Sequence, residues 1–99
     1  MPPSGPASPR ALAESAAALA PGDAPAWNNL GHVNLNFERL PEARVAFERA
    51  LALRADDADA LCGAALVAQR QGRGSDANAL VKTANVSCPG VSTATAVTR

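Results

Sequence analysis

The chain matches itself when displaced by 34 residues. At that displacement Asp23 falls on Asp57, Ala24 on Ala58, Ala26 on Ala60 and Arg39 on Arg73. Farther along, Ala43 falls on Ala77, Phe47 on Val81 and Ala50 on Ala84; backwards, Ala50 falls on Ala16 and Leu53 on Leu19. The breaks Pro21-Gly22 and Pro89-Gly90 stand two such periods apart. A period of this size marks units that cannot bury an apolar face alone, so that neighbours must stack on one another.

The hydrophobic spacing within each period is helical. Ser8 followed by Pro9 predicts a helix start, a hydroxyl to cap and then a residue with no N–H to leave unpaired. That helix runs over 9–20 and stops at Pro21-Gly22. Asp23 is the expected cap of a second helix over 24–37, with Trp27, Leu30, Gly31 and Asn34 inward. Pro41 opens a third over 41–54, with Ala43, Ala46, Phe47, Ala50 and Leu51 inward. Asp56 and Asp57 cap a fourth over 58–71, and Ser75 caps a fifth over 75–85. No segment alternates with period two for long enough to make a strand, so the expected fold is all-α.

Composition limits the core. The 99 residues are 47% hydrophobic, about half of that alanine, and Trp27, Phe37 and Phe47 are the aromatic residues. Such a chain offers many small contacts and few large fillers, and at this length only about 60–65% of the unfolded surface can be buried. Nine basic and nine acidic side chains cancel, which argues against a nucleic-acid surface. No apolar run is long enough to span a membrane.

Trp27-x-x-Leu30-Gly31 followed by Ala43-x-x-x-Phe47-x-x-Ala50 resembles the tetratricopeptide repeat. The resemblance sets a half repeat at 9–23, a first repeat at 24–57 and a degenerate second at 58–90, where Leu61 stands for the tryptophan and Val81 for the phenylalanine. Residues 1–8 are then a disordered leader and 91–99 a disordered or frayed tail. Asn34 stands where the family prefers tyrosine, and Ala55 where it prefers proline. The resemblance implies a right-handed α-solenoid of antiparallel helix pairs, five helices in all. It also implies a concave surface, lined by the first helix of each repeat, that holds a peptide or partner protein. Physical reasoning supports the same residue types. Gly31 and Ala43 are small because close helix axes leave no room there. Trp27 and Phe47 fill wider spaces, each worth about 3–5 kcal/mol over alanine when buried. With Leu61 and Val81 in those spaces, the second repeat is expected to be looser.

Little suggests catalysis. His32 is the one histidine, and its neighbours at helical spacing are Asn28 and Asn36, so neither a base–nucleophile pair nor a metal set forms. Gly72-Arg73-Gly74-Ser75 lacks the lysine and the preceding strand of a phosphate loop and reads as a turn. Arg39, Arg44, Arg49 and Arg54 recur every five residues, a step of about 140° that spreads them around a helix. Arg44 is placed to pair with Glu48. The expected role is a non-catalytic interaction module with no cofactor. Its partner-binding residues are Asn28, Asn29, His32 and Asn36, in a polar arc with Leu35, whose donors and acceptors suit the backbone of an extended peptide. One period on, the arc reads Cys62, Gly63, Leu66, Gln69 and Arg70, and Leu66, Gln69 and Arg70 complete the expected site.

The last apolar face, Leu80, Val81 and Ala84, is followed by a β-branched stretch poorly suited to a capping helix. Two alternative roles follow. One is a segment of a larger enzyme, such as the glycosyltransferases and sulfotransferases to which this repeat is often attached. The other is self-association, a homo-oligomer formed through that face. Cys62 and Cys88 are too few for a disulfide framework and read as free thiols of a reducing compartment. A cytoplasmic location is expected, with no nucleic-acid or membrane partner.

Overall fold

A computed structural model describes residues 8–85, 88, 90 and 91. They form five α-helices and, among the described residues, no strand: α1 (Pro9–Leu19), α2 (Ala24–Asn36), α3 (Leu40–Leu53), α4 (Ala58–Arg70) and α5 (Gly74–Ala84). Each boundary lies within a residue of the one the sequence predicts. Ser8 Oγ accepts from the Ala11 N–H at the head of α1, and Asp57 accepts from the N–H groups of Asp59 and Ala60 at the head of α4. Two expected caps do not form. Asp23 makes no side-chain bond, because Pro25 in the first turn removes a backbone donor that it would serve. Ser75 lies inside α5, since the Arg73 carbonyl already accepts from the Ala77 N–H.

Each helix packs on the next, and α2 also touches α4. Phe47 of α3 is fully buried where α2 and α4 converge on it. A Cβ added at Gly31 would lie 2.7–2.8 Å from three atoms of its ring, and one added at Gly63 would overlap the ring more deeply. Gly31 is small for the close approach expected. Gly63, expected in the polar arc, is instead buried against Phe47. Leu35, Ala43, Ala50, Ala60, Ala64 and Val67 complete this cluster. Leu35 was expected in the polar arc as well; it is buried because α4 lies on that side of α2. Trp27 is half-buried rather than fully core. Its Nε1–H donates to the Pro21 carbonyl at 2.9 Å, and the Arg49 guanidinium lies 5.2 Å from its ring centroid.

The second half is not uniformly looser. From Ala60 to Ala68 every residue but Cys62 and Leu66 is buried, because α4 is enclosed by α2, α3 and α5. The looseness falls on α5, where Ala77 is the buried residue. Leu80 and Val81 are half-buried, and Val91 packs with them against Ala65, Ala68 and Ala77. Of the segments expected to be disordered, 1–8 and 91–99, Ser8 instead caps α1 and Val91 packs as above, and the other positions lie outside the described residues.

Backbone hydrogen bonds recur at the 34-residue displacement. Phe37 bonds Val33 and Asn34, Glu38 bonds Leu35, and Arg39 bonds Asn34; Gln71 likewise bonds Val67 and Ala68, Gly72 bonds Gln69, and Arg73 bonds Ala68. The middle residue of each turn is left-handed, Glu38 at φ 58° and Gly72 at φ 80°. Ion pairs recur as well, Arg10–Glu14 at 3.1 Å with Arg44–Glu48 at 3.0 Å, and Arg39–Glu42 at 3.2 Å with Arg73–Asp76 at 2.8 Å. The five-residue spacing of the arginines thus has no structural counterpart, whereas the longer displacement does. No described helix is long and apolar enough to cross a membrane.

Candidate functional site

The expected partner-binding residues separate into three groups. Asn28 and His32 join α2 to α4, and Arg70 joins α4 to the turn after α2. Asn28 Nδ2–H donates to Asp59, His32 Nε2 lies 3.5 Å from the same carboxylate, and Arg70 meets Glu38 at 2.7 Å. Asp59 sits in the first turn of α4, where the helix dipole favours a carboxylate. The His32 ring also stands edge-on to Phe47, with centroids 4.9 Å apart. These bridges are exposed, with His32 and Arg70 each about two-fifths accessible. Their net contribution to stability is small, and their effect is to fix how α2 and α4 lie side by side.

The second group, Leu66 and Gln69, is engaged by the chain's own C-terminal segment. Gln69 Nε2–H donates to the Gly90 carbonyl at 3.1 Å, and Leu66 lies against Gly90. The segment is fastened by a disulfide between Cys62 and Cys88, whose Cα atoms are 5.2 Å apart. The reading of both cysteines as free thiols is thereby overturned. Their separation of 26 residues carries no local signal, and only the return of the chain along α4 brings them together. The third group, Asn29 and Asn36, is exposed on α2 and makes no side-chain hydrogen bond among the described residues.

Sequence reasoning missed Asp59 and Glu38. Asp59 was assigned only to the helix start, and its bonds to Asn28 and His32 span neither a helical turn nor the period of the repeat. A second arrangement also escaped notice. A largely apolar groove of about 360 Å³ lies over Leu30, Asn34, Val45 and Ala46, flanked by Glu14 and Glu42. It has a counterpart one period on over Ala64, Ala79 and Leu80, flanked by Glu48 and Asp76. Asn34 at the first groove is 2% exposed, and its Oδ1 has no partner. Among the described residues no three His, Cys, Asp or Glu side chains are placed to hold a metal ion. No family model matches the chain, and no curated protein does either.

Proposed function

We propose that this chain is a tetratricopeptide-like solenoid segment acting as a non-catalytic protein-interaction module. The observation that carries the reading is the recurrence of turn hydrogen bonds and ion pairs at 34 residues, which is what stacked copies of one helix pair produce. α2 and α4 are the first helices of the two copies. Side by side they present Asn29, His32, Asn36, Asp59 and Arg70 to solvent. Amide and imidazole groups here suit the backbone of a bound peptide. Asn29 and Asn36 are the residues to test, because neither supports the fold through a side-chain bond.

The cytoplasmic location belongs with the dithiol form of the chain, while the disulfide form belongs in an oxidising compartment. The test is selection of a displayed random-peptide library on the immobilised chain. Asn29→Ala with Asn36→Ala should abolish enrichment and leave helicity unchanged. Equal enrichment on the variant would reject the reading.

A further inference from the structure

One side of α4 is already occupied, by the chain itself. Cys62, Leu66 and Gln69 stand at i, i+4 and i+7, a single stripe of the helix. Each meets the returning segment: Cys62 is bonded to Cys88, Leu66 lies where a Cβ on Gly90 would be 3.6 Å from its Cδ1, and Gln69 donates to the Gly90 carbonyl. Cys88 is 7% exposed, and Val91 reaches the apolar cleft between α4 and α5. The segment turns through a bond from the Val91 N–H to the Cys88 carbonyl at 3.2 Å, with Gly90 at φ 82°. One period earlier the same stripe reads Asn28, His32 and Leu35, and there it receives α4. Cys88, Gly90 and Val91 therefore hold the side of α4 that α4 holds on α2. Besides the disulfide, the contacts include the Gln69 hydrogen bond and small apolar contacts, which are set against the entropy of ordering the segment.

We propose that this stripe is a docking surface for a short peptide segment, which the oxidised chain fills with its own Cys88, Gly90 and Val91 and which reduction of Cys62–Cys88 opens. The segment in place defines the ligand chemistry: a backbone carbonyl for Gln69, a residue without bulk over Leu66, and a small aliphatic side chain for the α4–α5 cleft. In the opening step a dithiol reductant supplies two electrons and two protons. The S–S bond breaks, Cys62 and Cys88 become thiols, and the reductant closes to its cyclic disulfide. The proposal rests on reading α2 and α4 as an interaction surface, and it names the occupant of the α4 side and what releases it.

The full chain is compared by NMR in its oxidised form, after dithiothreitol, and as the Cys62→Ser/Cys88→Ser variant. Reduction should abolish the cross-peaks between the Leu66 methyls and Gly90, while the Trp27 indole and Phe47 ring keep their shifts. A synthetic peptide of residues 84–91 carrying Cys88→Ser should then shift Leu66 and Gln69 in the double variant at millimolar concentration, since the tethered copy no longer stays docked, and leave the oxidised chain unchanged. Persistence of the Leu66–Gly90 cross-peaks would overturn the proposal. So would collapse of the Trp27 and Phe47 signals, which would make the disulfide a staple of the fold. Absence of peptide shifts, or a reduced chain that dimerises through the stripe, would overturn it too. These readouts lie on α4, whereas the library test turns on Asn29 and Asn36, so failure of one is distinguishable from failure of the other.

Discussion

Gly63→Ala should destabilise the protein even though it places a better helix former inside a helix. The ordinary gain for alanine over glycine in a helix interior is about 0.8–1 kcal/mol. Here the new methyl would overlap three atoms of the Phe47 ring, the least crowded still only 3.0 Å away. The ring has little room to shift, because Gly31 of α2 approaches the same atoms, Cε1 and Cζ, at a spacing that also excludes a methyl. Overpacking of a closed core costs about 1–3 kcal/mol, and a fully buried ring crowded by two helices belongs at the upper end. The net loss should be about 2 kcal/mol, or about 10 °C in Tm for a chain of this length. Phe47→Leu removes the ring atoms in question. In that background Gly63→Ala should be neutral or stabilising, a coupling of at least about 2 kcal/mol. Urea denaturation of the four proteins, followed by circular dichroism, measures the cycle. Equal cost of Gly63→Ala in both backgrounds would refute the argument, as would stabilisation of the parent.

Three other outcomes are expected. Phe37→Gln should raise stability by about 1 kcal/mol in thermal melts, because Gln71, one period on, accepts from Arg73 Nε at 3.2 Å while the buried Arg39 Nε has no partner. The reverse change, Gln71→Phe, should cost about as much. Reduction of Cys62–Cys88 should lower the unfolding free energy by less than the ceiling of about 3.5 kcal/mol set by loop-closure entropy over 26 residues, because the freed segment relaxes the folded chain as well, read from urea midpoints with and without reductant. Asp59→Ala should cost less than about 1 kcal/mol, since its bonds to Asn28 and His32 are exposed, yet it should shift the Asn28 side-chain amide resonances.

The helices were legible because their signals are local. Ser8-Pro9, Pro21-Gly22, Pro41 and Asp57 mark boundaries through backbone chemistry that needs no distant partner. Gly31 was legible as a close approach, though not the side chain approaching it. Gly63 and Leu35 were misplaced for one shared reason: a helical wheel ranks faces by polarity and does not know that a second helix will cover the more polar one. Asn28 and His32 were seen as polar and outward, but α4 partly covers both, and Asp59, which engages them, lies on a diagonal between helices that no period predicts. The disulfide depends on where the chain turns after α5, and residues 62 and 88 carry no sign of it individually.

Helix α1 meets the rest of the protein through Ala13 and Ala17, side chains that bring little area to the contact, whereas α3 and α4 share Phe47 and Val67. Cohesion therefore falls from the Phe47 cluster toward α1. Amide hydrogens of α1 should exchange with solvent soonest and those flanking Phe47 last, as in a row of units that peels from its weaker edge. The disulfide secures the far edge, so peeling has a direction: unwinding begins at the amino-terminal helix and advances toward the carboxy-terminal pair.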